Sequence, residues 1–281
     1  MCLPHTAETV RARTEPHHAG RRTALKATAG AALATFWPTP ALARSQPVLA
    51  QARVRNLRDL THTFRVDFPA YADPGQPTRR TATTIQDNGF YAQEWTFVEH
   101  FATHLDAPGH FIAGGRLAPD IKPEELIVPM VVIDISDRAS RDPDAQLTVD
   151  NLSRFEQRHG RIPRGAAVCM YSGWETKAGD KNAYRGTDAS GVYHFPGFSQ
   201  EAAAWLLERR QIASIGVDTL SLDFGRSNSF DVHHTFLGAD KYGLENLANL
   251  AAVPPYGAWM FVGLVPWQEG SGGPCRVLAG W

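Results

Sequence analysis

The chain of 281 residues lacks several features on which common chemistries depend. It holds only three cysteines and no C-x-x-C pair, which leaves no case for a thiolate metal site. It has no G-x-S-x-G stretch, so the strained elbow of a serine α/β-hydrolase is missing. Lys and Arg number 28 against 29 Asp and Glu, and no basic patch stands ready for a nucleic acid. Beyond residue 43, no stretch is apolar for long enough to span a membrane. Internal repeats, low-complexity tracts and linkers are also lacking, so residues 44–281 read as one domain. With 43% hydrophobic residues, the chain can build a full core.

The first 43 residues read as an address, separate from the fold. Arg21-Arg22-Thr23-Ala24-Leu25-Lys26 opens an apolar run of small residues, and Ala41-Leu42-Ala43 offers an A-x-A cleavage site. A twin arginine before such a run resembles a Tat-type export signal, with Ala24 where an aromatic is usual. The run is too short for an anchor, and Pro38 and Pro40 close it. The expectation is cleavage and a periplasmic protein beginning near Arg44. Cys169 and Cys275 then remain, in a compartment that permits a disulfide. Cys169, inside Ala166–Tyr171, reads as a small buried hydrophobe.

Patterning gives an α/β domain with a mixed sheet flanked by helices. An opening strand is expected within Arg53–Arg65, followed by an aromatic loop from Phe68 to Gly75. Ile127–Asp134, Ala166–Tyr171 and Ile212–Asp218 are dense apolar runs of strand length, as in fully buried strands. A helix is expected from Leu147 to His159, with Thr148 to cap its start and Gly160 to end it. A second runs from the Ser199 cap to Arg210. Between them, Glu175–Phe198 is polar and reads as a surface loop. Further short apolar segments lie at Leu244–Leu250, Trp259–Val265 and Arg276–Leu278.

The chemistry gathers in His100-Phe-Ala-Thr-His104-Leu-Asp106-Ala-Pro-Gly-His110. Three imidazoles and a carboxylate within so short a stretch are apt ligands for zinc and similar divalent ions. On a helix, His100 and His104 would share a face while Asp106 pointed nearly opposite. On a strand all four would share a face, yet His100 to His104 would span roughly 13 Å, too far for one ion to bridge. The chain must therefore bend, and Ala107-Pro108-Gly109 supplies one bend. A strand end followed by a turn is expected, with His104 and Asp106 as near neighbours. His110, beyond the bend, is either a further ligand or a base. A second group, His233, His234 and Glu245, follows far downstream. Glu245 sits in an apolar context, Leu244-Glu245-Asn246-Leu247, where an unpaired charge is costly, and a cation or base is the expected partner.

Together these stretches resemble the cyclase family of metal-dependent hydrolases, which includes bacterial kynurenine formamidases and isatin hydrolases. The family's H-x-G-T-H-x-D-x-P-x-H is matched by His100, Thr103, His104, Asp106, Pro108 and His110, with Ala102 in place of the glycine. Its G-[IV]-D-T-x-S-x-D is matched from Gly216 to Asp223, and its later H…E-[GN]-L by His233, Glu245 and Leu247. Ser172-Gly173-Trp174 has a likeness there too. His62, His159 and His194 match no ligand position.

The resemblance implies a cyclase-like fold of the swivelling β/β/α type and a homo-oligomer. It implies that His100, His104, Asp106, His233 and Glu245 bind one or two ions, Zn²⁺ or Mn²⁺. His233 aligns better than His234. A bound divalent ion lowers the pKa of its water from roughly 15.7 to about 7 and polarises a carbonyl. His110 then serves as general base and acid, with an unperturbed pKa of roughly 6.5. Tyr71 and Trp174 are candidates to stack on an aromatic substrate. The expected reaction is hydrolysis of a small amide, an N-formyl aryl amine such as N-formylkynurenine or a cyclic amide. The alternatives are a lactone or ester hydrolase with the same site, and a periplasmic metal-binding protein without activity.

Overall fold

The computed structural model describes residues 54–281; the expected presequence lies outside the described residues. They form two units, the hairpin Arg80–Glu94 and a body made of Val54–Arg79 with Trp95–Trp281. The hairpin joins strands β2 (Thr78–Thr83) and β3 (Ala92–Thr96) through a short helix, α1 (Ile85–Asn88). Thr84 caps that helix by accepting from Asp87 N, and Gly89 leaves it at φ 78°, a conformation glycine adopts without a Cβ penalty.

In the body, eight strands make one mixed sheet. They are β1 (Leu57–Asp59), β4 (His104–Asp106), β5 (Ile127–Asp134), β7 (Ala167–Tyr171), β9 (Ser214–Val217), β10 (Tyr242–Glu245), β11 (Ala258–Leu264) and β12 (Gly272–Gly280). Their order is β1-β12-β11-β5-β7-β9-β10-β4, and β4 also pairs with β12, which closes the sheet into a barrel. The β5–β7, β7–β9 and β9–β10 pairs are parallel; the pairs made by β1, β4, β11 and β12 are antiparallel. A minor two-stranded sheet joins β6 (Gln146–Leu147) to β8 (Gly197–Phe198).

The dense apolar runs follow from burial on both strand faces. Along β5, Val128, Met130 and Val132 point into the barrel while Val131 and Ile133 face the outer helices. Two helices cover that outer face, α3 (Val149–His159) and α5 (Gln200–Arg210); α2 (Ser136–Ala139) and α4 (Lys181–Arg185) are single turns. Thr148 and Asn151 cap the start of α3, and Gly160 ends it. Ser199 Oγ accepts from Ala202 N at the start of α5. Leu152 and Phe155 on α3, with Ala202, Ala203 and Leu206 on α5, fill the interface with the sheet. Each large side chain buried there contributes about 1.5–3 kcal/mol.

The α/β fold with a mixed sheet matches expectation, and two local readings are corrected. The opening strand is only Leu57–Asp59; beyond it Leu60 O accepts from Ala248 N, Thr61 bridges to Leu247 and His62 N donates to Thr103 Oγ1, so the regular pairing with β12 stops. Glu175–Phe198 is no simple surface loop: it contains a 3-10 turn and α4, and it buries Tyr184, Arg185 and Phe195. A helix of one turn is too short to show a 3.6-residue pattern. Cys169 and Cys275 are both buried, and both are free thiols. Among the described residues, no helix is long and apolar enough to cross a membrane.

Candidate metal centre

Strand β4 is the floor of the site. Its alternation turns Leu105 into the core and puts His104 and Asp106 on the opposite face, all three buried. Antiparallel pairing then brings Glu245 of β10 directly opposite His104 and Gly243 opposite Asp106. On the other side, β12 sets Gly272 against Asp106. His233 comes from α6 (Asp231–Gly238) and is buried, whereas its neighbour His234 is exposed. Successive helix positions are about 100° apart, so only one of the adjacent pair faces inward. His62, His159 and His194 do not join the cluster.

Two bends allow the close approach. The expected one follows β4, where a 3-10 turn, Pro108–His110, carries His110 back over the site. The other is at Ala102, with φ at 55° in the left-handed region, at the position where the resemblance has glycine. There the Ala102 carbonyl accepts from His104 Nδ1 at 2.8 Å. His100 and His110 stack with ring centroids 3.6 Å apart.

A carbonyl can only accept, so His104 carries its proton on Nδ1 and aims Nε2 at Asp106 Oδ1 (3.2 Å) and Glu245 Oε2 (3.4 Å). His233 repeats the device. Its Nδ1 bonds Asp223 Oδ2 at 2.6 Å, and Nε2 lies 3.1 Å from Glu245 Oε1 and 3.5 Å from Asp106 Oδ2. Asp106 Oδ2 is buried without a hydrogen-bond partner. Two imidazole nitrogens and two carboxylates thus converge on one point. Burial alone would lower the His104 imidazole, but Asp106 and Glu245 hold it up to about 10. His233 is likewise raised, against burial, by Asp106, Asp223 and Glu245. Such a demand for positive charge is what a divalent cation meets. Ligand atoms of His104, Asp106 and Glu245 lie within 4.8 Å of one another, as do those of His100, Asp106 and His110. The donor set therefore fits a metal, with Asp106 common to both groups.

Burial pushes the His110 imidazole down to about 4, below the ordinary value expected from sequence. It is neutral at pH 7.

The cluster opens into a cavity of about 230 Å³ whose other walls include Tyr71, Phe111, Leu220, Ser221 and Phe230. A larger surface groove of about 790 Å³, along Asp134–Arg138 and α3, holds none of these groups. Tyr71 lines the cavity as expected. Trp174 does not: it is buried, donates Nε1–H to Tyr184 O at 2.7 Å and carries Lys177 Nζ over its ring. The Trp174 stacking role is thereby corrected, since Gly173 turns the indole inward toward the Phe68–Tyr184 cluster. Phe111 and Phe230 supply aromatic walls in its place.

Arg185 pins the loop that presents Tyr71. Its buried guanidinium donates to Ala70 O at 2.7 Å and to Asp73 Oδ2 at 2.7 Å. Arg185→Ala leaves a buried carbonyl unpaired, a loss of roughly 2 kcal/mol. Thermal unfolding should register a Tm lower by about 4–8 °C.

Sequence reasoning gave no role to Asp223, which sets the ring of His233, or to Ser271, which meets His100. Asp223 ends the stretch from Gly216 that carries the family resemblance; Ser271 carries no signal, being brought in by closure of the barrel.

Comparison with known proteins agrees with this geometry. The Cyclase family model ("Putative cyclase") matches residues 58–224. Isatin hydrolase of Roseibium aggregatum is 34% identical over 202 residues, 69% of this chain and 76% of that protein. Cyclase-like protein 1 of rice is 28% identical, covering 58% of this chain and 57% of its own. The solved structure of isatin hydrolase A from Ralstonia solanacearum superposes with a TM-score of 0.76 at 35% identity, over 80% of this chain and 91% of that one. Isatin hydrolase A from Labrenzia aggregata, bound to benzyl benzoate, gives a TM-score of 0.76 at 33% identity, over 80% and 93%.

A closed mixed α/β sheet with histidines and carboxylates converging under an apolar cavity defines a metal-dependent hydrolase. More particularly, the chain belongs to the cyclase family.

Proposed function

We propose that the protein hydrolyses the carbonyl–nitrogen bond of a small aromatic amide, a cyclic amide in first place. The observation that carries this reading is the convergence of His104, His233, Asp106 and Glu245 on one point, with His110 stacked beside it. His100, His104, Asp106, His233 and Glu245 would hold one or two divalent ions, Zn²⁺ or Mn²⁺. When bound, such an ion supplies Lewis acidity to a carbonyl and makes water more acidic.

The chain's own residues do the rest. Tyr71, Phe111 and Phe230 enclose the ring and exclude water. Neutral His110 accepts a proton from the attacking water and returns it to the departing nitrogen. Water thus adds across the bond: the carbonyl carbon gains oxygen and the nitrogen gains hydrogen. A cavity of about 230 Å³ lies below the roughly 300–1,000 Å³ usual for ligand sites, which favours a compact fused ring over a substrate with a long side chain. The names of the relatives support the same choice, since three of the solved neighbours are isatin hydrolases.

The test is turnover of isatin, N-formylkynurenine and a simple aryl lactone by metal-replete protein. Isatin should be opened fastest, with activity lost to a chelator and restored by Zn²⁺ or Mn²⁺. Preference for the lactone would reassign the site to ester chemistry. A protein that binds metal and turns over none of the three would refute the reading.

A further inference from the structure

Behind His100 lies a chain of groups that the cluster itself does not require. Its Nε2 is 2.8 Å from Ser271 Oγ. Ser271 donates its hydroxyl to Glu99 Oε2 at 2.7 Å and its backbone N–H to the same oxygen at 2.9 Å. The Glu99 side chain is 41% exposed, so the chain runs from the buried cluster to solvent. Ser271 is itself fixed: its carbonyl accepts from Ala107 N at 3.0 Å, and the next residue, Gly272, pairs in register with Asp106. A Cβ on Gly272 would come within 2.8 Å of His100 Cε1, so the backbone of β12 also presses on the ring.

The direction of these bonds follows from donor chemistry. An ionised carboxylate only accepts, so the Ser271 hydroxyl proton points at Glu99. That leaves the lone pairs of Ser271 Oγ for His100, and Nε2 must carry the proton. His100 Nδ1 is then the face turned to Asp106 Oδ1, 2.7 Å away, on the side where His100, Asp106 and His110 gather.

We propose that Glu99 and Ser271 are positioning residues. They hold His100 with its proton on Nε2 and its Nδ1 free for a divalent cation shared with Asp106. This rests on the metal reading given under Proposed function. An outer carboxylate acting through a ligand imidazole typically alters metal affinity by roughly 10–100-fold.

The experiment titrates metal-free wild type, Ser271→Ala, Glu99→Ala and the double variant with Mn²⁺ and Zn²⁺ against a chelating indicator. Each single change should weaken Kd by about 10–100-fold, and the double should be no weaker than the worse single, because the two act in series. Unfolding of the metal-free proteins at similar Tm shows that the fold survives. The His100 Nε2 proton should be visible by NMR in metal-loaded wild type and lost to exchange in Ser271→Ala. Equal Kd in wild type and variants would overturn the positioning role, and strictly additive losses would overturn the serial chain. A wild type that binds neither metal would instead overturn the metal reading on which the inference stands.

Discussion

Asp106→Asn should yield a folded protein that retains no metal and loses more than about 10³-fold in kcat/KM, well beyond the roughly 10–100-fold of an outer-shell change. Asp106 belongs to both groups of candidate ligands, and its Oδ2 is buried without a hydrogen-bond partner. Asparagine keeps the shape but supplies one oxygen and no charge, so the converging imidazoles lose their common anion. The check is metal content by elemental analysis beside turnover. Full metal content with full loss of activity would contradict the ligand role.

A pH experiment on metal-free protein follows from the same geometry. The folded pKa of His104 stands at about 10, above its unfolded value of about 6.5. The folded state therefore holds a proton that the unfolded state releases between those values. Stability from this group is complete below about pH 6.5 and falls as pH rises toward 10. Metal-free wild type should lose Tm over that range, and Asp106→Asn should flatten the loss, because Asp106 is the strongest group raising His104.

The site was legible where its chemistry is local. His100, His104, Asp106 and His110 lie within one short stretch, and their ligand types, spacing and need for a bend could all be read from residue identity. The buried strands could be read for a similar reason: β5, β7 and β9 are apolar on both faces, so continuous runs betray them. Closure of the sheet left no such mark. The pairing of Gly272–Pro274 with β4 joins segments far apart in the chain and places Ser271 beside His100. Backbone conformation was equally hidden. Ala102 gives no sign in composition of a φ of 55°, although the resemblance pointed to a glycine there. Trp174 shows the converse error, since an indole beside a glycine-bearing turn serves a pocket wall or a core equally well by sequence. Its N–H is spent on the Tyr184 carbonyl, inside the protein.

His110→Ala should lower kcat by about 10²–10⁴-fold, the usual contribution of a positioned acid–base group, while metal content stays near the wild-type level. The argument depends on how His110 differs from the other cluster histidines. His104 and His233 each have Nδ1 committed to an oxygen acceptor and Nε2 aimed at carboxylates. His110 instead stacks on His100, half-buried at the cavity wall, and its acidity is set mainly by loss of water. With a pKa of about 4 it is neutral down to about pH 5, ready to accept a proton, and once protonated it is a strong donor to a poor leaving nitrogen. Because its folded pKa lies below the unfolded value, the neutral form persists as pH falls through about 6.5 and is lost only near 4. The His110 contribution to kcat should accordingly hold between pH 8 and about 5, and a single limb at pH 6.5 would be inconsistent with this environment. Loss of metal in His110→Ala would make the residue a ligand beside His100 and Asp106. Retained metal with unchanged turnover of every amide would remove it from the chemistry altogether.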